Sequence, residues 1–144
     1  LGTVEGVNFC GWIPHEQLQT TLARSHVFGF PSIREFGGGV VLEAMATGLV
    51  PVVVGYGGPS EIVSDATGIR IPLGSREEII VNFRSALEFL LENPSSVRLM
   101  AERAKKRVRR NFTWQAKAKQ VLEVYHWVLG ERDKPEFAMP PADD

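Results

Sequence analysis

The sequence predicts an α/β fold with a mainly parallel sheet, because short β-rich apolar runs alternate with longer segments whose apolar residues recur at helical spacing. The composition agrees: 44% hydrophobic and 23% charged content over 144 residues suits one globular domain with a sizeable core. The helical segments are also punctuated as helices should be, with proline at entry and glycine at exit.

The β-rich runs are Val7 to Cys10, Val27 to Phe30, Pro51 to Val54 and Ile69 to Ile71. After the first comes a short helix entered at Pro14, carrying His15, Glu16, Leu18 and Leu22. After the second, Val40 to Thr47 reads as a helix stopped by Gly48. Ser75-Arg76-Glu77-Glu78 is a capping box, and Ile79, Ile80, Phe83, Ala86, Leu87, Leu90 and Leu91 then recur on one helical face. That helix ends before Asn93-Pro94, since the residue preceding proline is driven out of the α region. Val97, Met100, Ala101, Ala104 and Val108 mark the next helix. Thr113 can cap a last one, whose face carries Trp114, Ala118, Val121, Leu122, Tyr125 and Val128. Residues 1–130 are thus expected to form the folded domain, and 131–144, rich in charge and proline, a flexible tail or linker. Four strands make a small sheet, and the alternation begins abruptly, as expected of a piece of something longer.

Charge and cysteine content exclude several classes. A formal net charge of −1 argues against a general nucleic-acid binder, whose phosphate contacts need a basic surplus. The single cysteine, Cys10, allows no internal disulfide and no zinc-ligand spacing, which fits a reducing cytoplasm and makes the sequon at Asn111 accidental. No apolar run reaches the ~18 residues of a membrane span. A Gly-x-Ser-x-Gly elbow, a Walker lysine motif and Gly-x-Gly-x-x-Gly are all absent. Gly55-Tyr56-Gly57-Gly58-Pro59 approaches the last of these, but with proline where a helix should begin it reads as a turn.

The chemistry concentrates in residues 31–44. A strand, then Pro31-Ser32, then Gly37, Gly38 and Gly39, then a helix through Glu43 places unpaired backbone N–H groups at a helix N-terminus, which attracts phosphate. The glycines also fit a plainer reading, that they only permit a tight turn. Two glutamates favour the first. Glu43 lies ~6 Å into the helix at ~1.5 Å per residue, while Glu35 precedes the turn, so the carboxylates flank the phosphate seat from opposite ends. A carboxylate beside phosphate needs hydroxyls to accept from, and a molecule that offers sugar, diphosphate and ribose in that order is a nucleotide-diphosphate sugar.

Pro31-Ser32-x-x-Glu35-Phe36-Gly37, then Leu42-Glu43-Ala44-Met45-Ala46, Gly48-x-x-Pro51-Val52-Val53, Gly57-Gly58-x-x-Glu61 and Gly68 resemble the C-terminal, donor-binding domain of retaining GT-B glycosyltransferases of family 4 (glycosyl transferases group 1). The E-x7-E spacing of Glu35 and Glu43 is that family's signature, and the resemblance extends from Val7 to about Tyr125. It implies a Rossmann-like sheet with helices on both faces. It implies that Glu35 serves catalysis by contacting the transferred sugar, with the backbone of Phe36, Gly37 and Gly38 holding that sugar. The N–H groups of Gly39, Val40 and Val41 would meet the diphosphate, Glu43 the ribose, and Trp12 and Ile13, in the turn Gly11-Trp12-Ile13-Pro14, the nucleobase. It implies no metal and no cofactor beyond the nucleotide-sugar donor, in keeping with the missing Asp-x-Asp pair. The arginine and lysine that balance the leaving diphosphate would lie upstream of Leu1, as would the acceptor-binding N-terminal domain. Little transferase activity is expected of this chain alone.

Family sheets have the order 3-2-1-4-5-6, and the strands here correspond to the third through sixth. The Val7 to Cys10 strand is therefore expected either to close directly onto Val27 to Phe30 or to pair with a second copy. Alternative readings remain for other residues. Trp12 could be a surface hydrophobe or core filler, and Glu61 only a carboxylate at a helix start. His15, His26 and His126 read as structural. Nine of the sixteen basic residues fall between Arg98 and Lys119 and read as a solvated face. Membrane contact by that segment is disfavoured because it lacks exposed aromatics. As a whole the chain reads as the donor-binding part of a glycosyltransferase, with a non-catalytic nucleotide or sugar-phosphate binding module as the alternative.

Overall fold

The computed structural model describes residues 5–137. Among these residues six helices and three strands follow in the order α1 (His15–Leu22), β1 (Val27–Phe30), α2 (Gly39–Thr47), β2 (Val50–Val54), α3 (Gly57–Ile62), β3 (Ile69–Ile71), α4 (Arg76–Glu92), α5 (Pro94–Asn111) and α6 (Trp114–Val128). The sheet has the order β1-β2-β3 and both pairings are parallel, so the α/β class with a mainly parallel sheet, read from the alternation, is what the chain adopts. Register is set by Val27 opposite Val50 and Val52 opposite Ile69, and Val50 N–H donates to the carbonyl of His26 at 2.9 Å.

All five residues of β2 are buried, as a central strand demands. Its period-two alternation sends Val50, Val52 and Val54 to one face, where they meet Ile71, Ala86 and Leu90. Val53 turns to the other face, against Val41, Met45, Ile62, Ala104 and Val108. Helices thus cover both faces, and α5 reaches both, with Val97 and Ala101 on the first cluster and Ala104 and Val108 on the second. A third cluster of Leu22, Ala44 and Leu49 seats α1 on α2. Each fully buried valine of β2 contributes about 1.5–3 kcal/mol of transfer free energy, so the sheet is anchored at its middle strand.

One strand is missing from the expected set. Residues 7–10 have no regular structure and are exposed, so among the described residues nothing pairs with the outer edge of β1. The expected direct closure onto β1 does not occur: a strand exists only through its ladder, and four residues cannot form one alone.

The local helix signals hold. Ser75 Oγ accepts from Glu78 N–H at 3.3 Å while a carboxylate oxygen of Glu78 accepts from Ser75 N–H at 2.8 Å and from its hydroxyl at 2.7 Å. The hydroxyl bond first, and the backbone bond second, hold the Glu78 carboxyl below its ordinary pKa. Because that pKa is depressed in the folded state, the stabilisation from Glu78 is complete above the ordinary carboxylate range and lost as pH falls through the lowered value. Replacing Glu78 with glutamine is expected to flatten this acid-side loss, read as the denaturation midpoint against pH. An unchanged slope would show that the cap carries no linked proton.

Thr113 caps α6 by accepting from Ala116 N–H at 3.2 Å, but α6 buries no residue. Its apolar stripe instead lines a shallow groove of about 480 Å³, with Trp114 89% exposed. This overturns the argument that the basic segment shows no aromatics. The solvated-face reading fails at one further position: Arg107 is buried, only 3% exposed. Beyond α6, Arg132 pairs with Glu123 at 2.6 Å and His126 Nδ1 meets Glu131 at 2.5 Å, which lays the start of segment 131–144 against the helix. Residues 138–144 of that segment lie outside the described residues. Among the described residues no helix is long and apolar enough to cross a membrane.

Candidate functional site

The stretch singled out in sequence is the connection from β1 to α2. Gly38 is the N-cap of α2 and has φ +67°, a left-handed conformation for which glycine alone is free of Cβ strain. No side chain caps α2 from the N-cap position. The carboxylate of Glu35 does that work from three residues back: its Oε1 accepts from Gly37 N–H at 3.1 Å and from Gly38 N–H at 2.9 Å. In the first turn, Val41 N–H donates to the carbonyl of Gly38 at 2.9 Å, so Val41 offers no donor to a ligand, and its side chain is fully buried. The N–H groups of Gly39 and Val40 donate to no acceptor among the described residues, and Gly39 is exposed. The seat for an anion therefore narrows to Gly39 and Val40.

α3 fixes the loop from behind. Gly58 N–H donates to the carbonyl of Phe36 at 3.1 Å. A Cβ on Gly58 would stand 2.2 Å from that same oxygen, and one on Gly57 2.7 Å from the carbonyl oxygen of Glu35. The sequence reading of this stretch as a turn misses the short helix that starts at Gly57. Proline at its third position is tolerated, because first-turn N–H groups have no intrahelical acceptor to lose. The far end of α3 is held by Arg107, whose Nε donates to the carbonyl of Ile62 at 3.0 Å. Burial first, and Arg70 second, push the Arg107 guanidinium below its ordinary pKa.

A cleft of about 720 Å³ opens where these parts meet, lined among others by Glu35, Phe36, Gly37, Tyr56, Glu61 and Lys117. Phe36 is 97% exposed, free to cover a bound molecule. Glu61, in α3, also lines the cleft. Lys117 brings a cation from α6 and lies over the Phe112 ring at 5.5 Å. Sequence reading counted Lys117 only as part of a basic run, and no local pattern marks it or Tyr56. Glu43 stands exposed on α2, but Leu42 rather than Glu43 lines this cleft. The two glutamates are thus on the same loop and helix without sharing that cavity. Trp12 is 85% exposed and Ile13 half-buried, and neither lines it. Among the described residues no cluster of His, Cys, Asp and Glu could hold a metal ion.

Residues 1–107 match the family described as Glycosyl transferases group 1. The chain belongs to this family. Over 138 residues it is 28% identical to a glycogen synthase of Mycobacterium tuberculosis, an alignment covering 95% of this chain and 32% of that protein. Over 119 residues it is 30% identical to an alpha-maltose-1-phosphate synthase of Mycolicibacterium smegmatis, covering 81% of this chain and 31% of the relative. Among solved structures, the sucrose-phosphate synthase from Thermosynechococcus elongatus superposes with a TM-score of 0.70 and 27% identity, covering 87% of this chain and 31% of the other. The parallel α/β architecture and these likenesses identify a glycosyltransferase domain of GT-B type. The chain spans about a third of the length of the relatives it matches.

Proposed function

We propose that this chain is the donor-binding part of a retaining, family 4 glycosyltransferase that moves a hexosyl group from a nucleotide-diphosphate sugar to an acceptor bound by another domain. The observation that carries the reading is the pair of unpaired N–H groups, Gly39 and Val40, at the start of a helix flanked by Glu35 and Glu43. The diphosphate seats on those two donors, where the helix dipole favours negative charge. Glu35 and the cleft beside it take the transferred sugar, and exposed Glu43 accepts from the ribose hydroxyls. Trp12 and Ile13 border the nucleobase. No metal takes part: charge on the leaving diphosphate is balanced by cationic side chains, and the acceptor domain completes the site. The open edge of β1 pairs with further chain, either of the same protein or of a second copy.

Titrating UDP-glucose, GDP-mannose and ADP-glucose against the isotope-labelled chain tests the reading. One of them is expected to move the amide signals of Gly39 and Val40. Glu43→Ala is expected to weaken that ligand about tenfold, as loss of charge-assisted hydrogen bonds does, while leaving inorganic pyrophosphate unaffected. Equal weakening of both would refute the ribose role of Glu43. Silence at Gly39 and Val40 with all three nucleotides would sink the donor site itself.

A further inference from the structure

The amides of Gly37 and Gly38 are already taken, and what takes them is the carboxylate expected to touch the sugar. We propose that Glu35 is the resident occupant of the donor-sugar seat, and that the sugar enters by exchanging places with it. This rests on the reading of the loop as a donor site. One oxygen, Oε1, accepts from both N–H groups. The loop backbone does not depend on that contact alone, since Gly58 N–H holds the carbonyl of Phe36 and Gly38 is fixed against α3, where a Cβ would meet Ile62 Cδ1 at 2.9 Å. The two amides therefore keep their aim when the carboxylate leaves. Glu35 also lines the cleft, so its side chain can swing there by rotation about its own bonds.

The exchange balances hydrogen bonds. A sugar oxygen replaces Oε1 on the two amides, and the released carboxylate accepts charge-assisted hydrogen bonds from sugar hydroxyls. A nucleoside diphosphate without sugar offers no such hydroxyls. With it bound, the carboxylate stays on Gly37 and Gly38, and its charge lies close to the phosphates on Gly39 and Val40. Glu35 thereby separates sugar-loaded donor from the nucleoside diphosphate left after transfer, favouring the first and helping to expel the second. Its role is specificity through exchange, in addition to contact with the sugar.

The test compares UDP-glucose with UDP, GDP-mannose with GDP and ADP-glucose with ADP on the labelled chain. In the unaltered protein the nucleoside diphosphate is expected to move Gly39 and Val40 and leave Gly37 and Gly38 in place, whereas the sugar form moves all four. Glu35→Ala is expected to shift Gly37 and Gly38 without any ligand. It should tighten the nucleoside diphosphate about threefold by removing a like charge, and cut the preference for the sugar form over the diphosphate about tenfold. Glu35→Gln, which keeps shape and loses charge, covers the case in which the alanine variant fails to fold, and should tighten the diphosphate likewise. The exchange is overturned if a sugar form moves Gly39 and Val40 but not Gly37 and Gly38, or if neither variant alters the preference. If no pair moves Gly39 and Val40, the donor-site reading has failed and this inference falls with it.

Discussion

Replacing Gly58 with alanine is expected to lower stability by about 3 kcal/mol and to release the loop that carries Glu35, because the new methyl carbon would stand 2.2 Å from the carbonyl oxygen of Phe36. That contact is with backbone, so no side chain can rotate away to relieve it. The same displacement breaks the 3.1 Å bond from Gly58 N–H to that oxygen, removing the support that aims Gly37 and Gly38. Denaturant unfolding should show a lower midpoint with little change in slope. The amide signals of residues 35–40 should move even where the protein stays folded. A variant as stable as the parent, with those signals unmoved, would mean that α3 does not buttress the loop. Since Gly57 also has a positive φ, of +59°, and its added Cβ would lie 2.7 Å from the carbonyl oxygen of Glu35, an alanine there should act in the same direction.

Arg107→Ala is expected to cost about 3 kcal/mol, from a buried carbonyl left without its donor together with the packing volume lost. Nε of Arg107 reaches the carbonyl of Ile62 across 45 residues of sequence, and its guanidinium sits 5.9 Å from the centre of the Phe112 ring. The side chain therefore ties α5 to the end of α3 and, through α3, to the loop that bears Glu35. Lysine at this position keeps a charge but has no donor where Nε stands, so Arg107→Lys should recover less than half of the loss. Alanine at Arg103, an exposed basic residue of the same helix, should change stability by less than about 0.5 kcal/mol. If Arg107→Ala proved as mild as Arg103→Ala, the buried tie would be of no consequence and Arg107 would belong with the solvated basic face after all.

Much of the fold was legible because its signals are local. The capping box at Ser75 and Glu78, Thr113 as a cap, the left-handed stop at Gly48 and the proline break at Asn93 each depend on residues within one turn of each other. β2 could be read because its apolar run is continuous, which is what burial on both faces requires. Residues 7–10 misled for the same reason: a short apolar run is necessary for a strand but does not supply the neighbour that makes it one. The stripe on α6 was read correctly as apolar, yet the structure leaves it open, because α6 packs chiefly along α5 and buries no residue. Sequence reveals that a helix face wants cover without revealing whether cover is within reach.

The candidate site divides along the same line. By itself, the sequence determined that a glycine-rich loop feeds a helix N-terminus with a glutamate on each side, since spacing along one short segment settles that. Only the tertiary structure decided that Gly58 of α3 holds the carbonyl of Phe36 and that Lys117 and Glu61 join the cleft, while the structure also shows Glu35 turned back onto Gly37 and Gly38. It likewise decided that one arginine of a basic run is buried. Periodicity and capping report interactions across a few residues, where chain geometry leaves few choices. Which distant groups meet, and which amides are already satisfied, depends on how the helices pack on the sheet, and that packing is a property of all the contacts together.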